Sequence, residues 1–143
     1  MNFILYREAL SGFLFLPNFN SYDTAFRRID DVWGGYIFQK LAQKKHQAIS
    51  YGQPIVEHVT KINAIADTDE ERAMYKYEDE FIETVDNAIK EMHCTANNSY
   101  SALYEEFVKY FEYWRGTSFD RAPFKNLSPA MQWWLDAWRK YEQ

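Results

Sequence analysis

The sequence of 143 residues has little cysteine, glycine or proline and no long apolar run. With a single cysteine, Cys94, no disulfide can form within the chain, and a reducing compartment is expected. Arg7 and Glu8 interrupt the apolar N-terminus, and no signal-peptide cleavage pattern follows them. These features indicate a soluble cytoplasmic protein that does not enter a membrane. The length suits one domain over residues 1–143.

Motifs that identify enzymes, metal sites and cofactor sites are also missing. There is no Gly-x-Ser-x-Gly elbow, no glycine-rich phosphate loop and no His-Glu-x-x-His. No histidine follows a glutamate by three positions, as the carboxylate-bridged metal pairs of helical bundles require. His93 and Cys94 are adjacent, so on a helix they point about 100° apart and cannot easily act as base and nucleophile. We therefore predict no catalytic residue, no cofactor and no metal, and we lean against an enzyme.

One acidic pattern fits part of a calcium-binding loop. The acids at its first, third, fifth and twelfth positions are Asp67, Asp69, Glu71 and Glu78. Arg72 stands where such a loop needs glycine, and the neighbouring residues are good helix formers. We interpret the pattern as the start of a helix capped at Asp67 or Thr68, because acids are favoured in a first helical turn.

Apolar spacing predicts helices along the whole chain. The longest pattern covers residues 69–93, with apolar positions at Met74, Tyr77, Phe81, Val85, Ala88 and Met92. Further patterns cover residues 3–13, 23–33, 36–42, 54–65, 101–115 and 129–141. Gly34 and Gly35 separate two of these patterns and predict either a turn of the chain or the close packing of a neighbouring backbone. The fold class is therefore all-α, a single-domain bundle of six or seven helices with a long central acidic helix.

The net charge of −5 is concentrated in the middle of the chain, where residues 51–100 hold 11 acidic and 4 basic residues. The acids on the longest helix without a base between them are Glu78, Asp79, Glu80, Glu83 and Asp86. A mildly acidic protein is a poor general binder of nucleic acid, so a protein with a basic surface is the expected partner. The basic residues Lys40, Lys44, Lys45 and His46 are predicted to form a solvated helix face.

Aromatic residues make up 19% of the chain, more than a core of this size easily absorbs. In the helix over residues 101–115, the predicted core stripe is Tyr104, Phe107, Phe111 and Trp114, with Tyr110 and Tyr113 off it. In the last helix, Met131, Trp134, Leu135, Trp138 and Tyr141 share one face. Trp133 lies about 100° from its neighbour Trp134. Either the last helix is buried on two sides, or Trp133 forms an exposed patch with Tyr110 or Tyr113.

These observations predict a protein-binding module. The expected type is a small acidic inhibitor or immunity-type protein, as phage or bacterial accessory proteins often are, that occludes a basic, nucleic-acid-handling surface of a partner protein. The predicted partner-binding residues are Glu78, Asp79, Glu80, Glu83, Asp86, Tyr110, Tyr113 and Trp133. Two alternatives stay open: an enzyme or small-ligand binder with a pocket between helices, and an oligomeric structural or assembly protein.

Overall fold

The computed structural model describes residues 5–14, 30–50, 52–53, 64–114 and 127–142. The helices in these ranges are a 3-10 helix Arg7–Gly12, α1 Asp30–Lys44, α2 Ala64–Glu91, α3 Tyr100–Trp114 and α4 Leu127–Glu142. The described ranges thus hold five helices and no strand, against the six or seven helices predicted. The all-α prediction is confirmed. Most of the helix predicted over residues 54–65, and residues 23–29 of another, lie outside the described residues.

Of the two alternatives predicted at Gly34 and Gly35, the turn of the chain is wrong. The helix α1 runs through both glycines from Asp30–Lys44 without interruption. Trp33 and Ile37, on either side of the pair, are each 2% exposed, and the Trp33 ring stacks on Phe81 of α2 with 4.1 Å between centroids. Burial of these large side chains offsets the helix-weakening effect of two glycines, which is about 1 kcal/mol each.

The long helix α2 begins earlier than predicted. Because it starts at Ala64, Asp67 and Thr68 lie inside the helix and do not cap it, and the calcium-loop pattern lies on continuous helix. Of the predicted apolar stripe, Phe81, Val85 and Ala88 are fully buried, Met92 is buried and Tyr77 is half-buried against the core, whereas the side chain of Met74 lies outside the described part of the structure. The helix also ends slightly earlier than predicted, at Glu91.

The central helix of the described residues is α3, and not the long acidic helix as predicted. It packs against the 3-10 helix and against α1, α2 and α4. Its buried residues are Tyr100, Leu103, Tyr104, Phe107, Val108 and Phe111. Trp114, predicted to belong to this core stripe, is 38% exposed. The broad apolar stripe of α3 explains its central place, because a wide stripe can be covered only by several neighbours.

The 3-10 helix closes one side of the bundle against α3. Within the apolar pattern predicted over residues 3–13, Ala9 and Phe13 are buried whereas Leu10 is 39% exposed. Gly12 is essential to this contact, because a Cβ there would lie 2.9 Å from Cδ1 of Tyr100. One hydrophobic cluster joins buried residues of the 3-10 helix and all four α-helices. The described helices therefore form a bundle around a shared core.

Candidate functional site

The predicted acidic residues spread around α2 and do not share one face. Asp79 and Glu83 are exposed and lie four residues apart, on the side opposite the buried Phe81. Glu78 and Glu80 flank them and are half-buried. Among the described residues, neither Asp79 nor Glu83 forms an ion pair. The outward acidic surface therefore centres on two of the five predicted carboxylates.

Asp86 lies on the flank of α2 that faces α1, where it is paired. Its carboxylate is 2.7 Å from Nζ of Lys40 and accepts a hydrogen bond of 3.0 Å from the hydroxyl of Tyr36. The Lys40 ammonium also lies 5.0 Å from the centre of the Tyr36 ring. The hydrogen bond to Asp86 raises the pKa of Lys40. Asp86 thus links two helices, although part of its surface stays exposed.

The prediction of a solvated basic face on α1 is wrong for Lys44 and Lys45. The Lys44 ammonium donates to the carbonyls of Ile89 at 3.2 Å and Met92 at 2.8 Å. The Lys45 ammonium donates to the carbonyls of Ala96, at 2.9 Å, and Asn98. The last carbonyls of a helix have no partner within it and form the negative end of its dipole. The two lysines therefore cap the end of α2 and the loop that follows it.

Glu106 of α3 holds the same loop from the other side. Its two carboxylate oxygens accept hydrogen bonds from the backbone N–H of His93 at 2.8 Å and of Cys94 at 2.7 Å. Burial acts to raise the pKa of Glu106, but hydrogen bonds from Cys94 and from these two backbone groups outweigh it and lower the pKa. Burial, together with the neighbouring Glu106 carboxylate, raises the pKa of the Cys94 thiol to about 11. The thiol is therefore protonated at neutral pH and is a poor nucleophile.

An open groove of about 500 Å³ lies where α1 and α2 end. It is lined by Gln43, Lys44, His46, Met92, His93, Cys94, Thr95 and Ala96. His46 has a positive φ of 57° and ends α1 in the position that glycine usually takes, with its N–H donating to the carbonyl of Gln43. Among the described residues, no group of three or more His, Cys, Asp or Glu side chains could hold a metal ion.

The three predicted aromatic contacts lie in different surroundings. Tyr110 is half-buried, packs against the core and meets His93 edge-on, with 6.3 Å between ring centroids. Tyr113 is 78% exposed and its ring meets Trp114 edge-on. Trp133 is 67% exposed. Trp133 is therefore exposed and α4 is not buried on two sides, but among the described residues no ring contact joins Trp133 to Tyr110 or Tyr113.

The helix α3 lies between the acidic residues and Trp133. Glu105 of α3 pairs with Arg139 of α4 at 2.7 Å, which marks the flank that faces α4. Tyr110 comes five residues after Glu105, about 140° around the helix, and faces His93 at the end of α2. The structure thus brings Tyr110 close to the end of the acidic helix and places Trp133 on a different side of the bundle.

Tyr6, Tyr75, Trp114 and Tyr141 are exposed aromatic residues outside the predicted site. Tyr141, predicted to face the core, is 60% exposed and lies under the guanidinium of Arg7 at 5.3 Å from the ring centre. Tyr6, which precedes the 3-10 helix, is 84% exposed. The sequence contains a signal for the surface of α4, because Ala130, Trp133, Ala137 and Tyr141 recur every three or four residues along a side of the helix that excludes the buried Met131 and Leu135.

No protein family, curated protein or solved structure matches this chain. Across the described part of the chain, no helix is both long enough and apolar enough to cross a membrane.

Proposed function

We propose that this protein is a protein-binding module, a small cytoplasmic inhibitor or immunity-type protein that covers a basic, nucleic-acid-handling surface of a partner protein. The proposal retains a bundle of six or seven helices, of which the described residues contain five. It also retains the eight predicted contact residues, with different weights. The partner's basic surface would meet the outward face of α2, and exposed aromatic side chains would anchor it.

The observation that carries the proposal is the outward placement of Asp79 and Glu83. Both are exposed on the longest described helix and make no ion pair with another described residue. Asp86, in contrast, already binds Lys40. A charge that no other described residue pairs is available to steer a basic protein towards α2, and such steering acts mainly on the association rate.

The aromatic anchors differ in how much surface they offer. Tyr113 and Trp133 are 78% and 67% exposed, and large exposed aromatic side chains are typical binding hot spots. Tyr110 lies between the core and His93, so it offers less surface. Tyr113 is on the central helix that carries Tyr110, whereas Trp133 is on α4. Replacing each aromatic anchor separately therefore distinguishes the contributions that two sides of the bundle make to partner binding.

The alternative of an enzyme or small-ligand binder would use the groove at the ends of α1 and α2. It contains His46, His93 and Cys94, which are side chains used in catalysis. The raised pKa of Cys94 weakens the case for covalent chemistry there. The groove is also open, whereas small-molecule sites usually enclose most of their ligand. We therefore place this alternative second.

The test is capture of the partner with a tagged full-length chain in its native cells, followed by mass spectrometry. The informative variant is Asp79→Lys with Glu83→Lys. Its control, Glu8→Lys with Glu91→Lys, changes the net charge equally at two other exposed positions. A basic, nucleic-acid-handling protein retained by the wild type and the control, and lost by the first variant, would support the proposal.

The captured protein is then used for kinetic measurements. The association rate should fall steeply as salt is added, because salt screens charges at a surface. Trp133→Ala and Tyr113→Ala should weaken capture without lowering the melting temperature, with Tyr6→Ala as the control for loss of an exposed aromatic ring. Equal capture by the Asp79 and Glu83 variant, or a rate indifferent to salt, would contradict the proposal.

A further inference from the structure

The outer face of α4 carries a second apolar stripe, opposite the one that enters the core. Met131 and Leu135 are buried, and Trp133 lies two residues from each of them, on the far side of the helix. Ala137 follows Trp133 by four residues, and Tyr141 follows Ala137 by four. Each step turns about 40° around the axis, so the three lie along one side of the helix, with Tyr141 at its edge, where the Tyr141 ring also contacts Trp138 and Arg7. We call these three residues the outer stripe of α4. Its side chains are large at both ends and small in the middle.

We propose that the outer stripe of α4 binds the same stripe of a second copy of the chain, with the two helices antiparallel. A two-fold axis at Ala137 would bring Trp133 of one copy level with Tyr141 of the other. The small alanine at the axis lets the two helices approach closely, and the large rings at either end fill the space beside it. The stripe is therefore complementary to itself in shape.

The charges beside the stripe are also complementary to themselves in this arrangement. Asp136 and Lys140 are both exposed and lie on the same flank of the stripe, four residues apart. Around the two-fold axis, Asp136 of one copy lies within about 3 Å, along the helix direction, of Lys140 of the other. The same pair forms twice. A parallel arrangement would instead bring this flank against the other flank of the second helix, which carries Trp134 and Trp138, so the Asp136–Lys140 pairing requires the antiparallel arrangement.

The size of the outer stripe of α4 determines the expected affinity of self-association. The helix α4 has 16 residues and is about 24 Å long, so a contact through this helix alone lies at the small end of specific interfaces. A dissociation constant in the micromolar range is expected. The Asp136 carboxylate also accepts a hydrogen bond from Gln132 and lies 3.4 Å from Arg139, which positions it at the surface before a second copy arrives.

This inference goes beyond the proposed function and gives Trp133 a different role. Pairing through α4 leaves Asp79 and Glu83 of α2 exposed in both copies, so a dimer would present two acidic surfaces. Two such surfaces would strengthen binding to a partner that offers two basic sites. Self-association is measured on the purified chain alone and partner capture with variants of α2, so either idea can fail without the other.

The experiment is sedimentation equilibrium of the full chain from micromolar to millimolar concentration. The single variants Asp136→Lys and Lys140→Asp should each weaken self-association about tenfold or more, because like charges then face each other twice. Mixing the two single variants should restore dimers, since each supplies the charge that the other lacks. Ala137→Glu should also abolish pairing, with Ala48→Glu, an exposed position outside α4, as the matched control.

Each outcome decides the matter. A wild type that stays monomeric throughout, or a variant mixture that does not recover dimers, would overturn antiparallel pairing through α4. Loss of dimers in Ala48→Glu would do the same, because the contact would then not depend on the stripe. A Trp133→Ala variant that keeps self-association but loses a captured partner would assign Trp133 to the partner surface. Circular dichroism of each dilute variant confirms that it is folded.

Discussion

The junction of α1 with the end of α2 and the outer face of α4 use their side chains in opposite ways. At the junction, Lys44 and Lys45 donate hydrogen bonds to backbone carbonyls, and Glu106 accepts hydrogen bonds from backbone N–H groups. These charged side chains are therefore paired within the molecule. On α4, Trp133 and Tyr141 remain largely exposed. A charged side chain therefore indicates a surface available for partners only where, as at Asp79 and Glu83, it is not already paired with another described residue.

The largest expected difference in unfolding free energy is between substitutions of a buried and of an exposed aromatic residue. Phe81→Ala should lower the free energy of unfolding by about 3–5 kcal/mol, because Phe81 is fully buried and stacks on Trp33. Trp133→Ala should change it by less than about 0.5 kcal/mol. Urea unfolding of dilute protein measures both. A large loss in Trp133→Ala would show that this ring belongs to the core.

The second test addresses the lysine caps. Lys44→Ala should lower the free energy of unfolding by about 1.5–3 kcal/mol, because it removes charged hydrogen bonds to the carbonyls of Ile89 and Met92. Lys140→Ala, at an exposed position on α4, is the matched control and should change it by less than about 0.5 kcal/mol. Equal effects of the two substitutions would remove the distinction between the junction and the outer face.

The third test uses pH. Glu106→Gln should cost about 1–2 kcal/mol at pH 7, since a charged acceptor of two N–H bonds is lost. The folded state lowers the pKa of Glu106 below its ordinary value of 4.5, so its contribution is present above that value and is lost as the pH falls through the folded pKa. The difference between wild type and variant should therefore shrink below about pH 4.5. A difference that stays constant down to pH 2 would contradict this role of the carboxylate.

The smallest expected effect is that of Gly35→Ala, which is compared with the same substitution at Gly12. Gly35→Ala should raise the free energy of unfolding by about 0.5–1 kcal/mol, because no described atom lies within 4 Å of the added Cβ and alanine favours the helix. Gly12→Ala should lower it by about 1–3 kcal/mol, since the added Cβ would clash with the ring of Tyr100. That ring stacks on Phe38, and its hydroxyl donates to Gln47. Thermal unfolding that shows the same sign for both would refute the difference.

The apolar pattern predicted the helices well and their neighbours poorly. It placed Phe81, Val85 and Ala88 correctly in the core, and it placed α3 within one residue of its observed ends. It left open a turn at Gly34 and Gly35 that the structure does not have, because propensity within one helix does not include the packing of Trp33 against another. It also did not predict that α3 is the central helix, since the length and the charge of α2 favoured α2 instead.

For the candidate site, the exposure of Asp79 and Glu83 followed from their spacing relative to Phe81. The pairing of Asp86 with Lys40 did not, because these residues are far apart in the chain and meet only when α1 packs on α2. The signal for the outer stripe of α4 was present in the sequence. It could not be interpreted there, because the same spacing is typical of a helix buried on two sides.

The sequence by itself determined that this protein is helical, which residues of each helix share a face, and that acids collect in the middle of the chain. Only the tertiary structure decided which charged side chains are paired within the molecule, which helix is central, and that Trp133 points outward. The physical reason is that periodicity places a side chain relative to its own helix axis. What that side chain meets depends on how distant helices pack, and no local pattern contains that information.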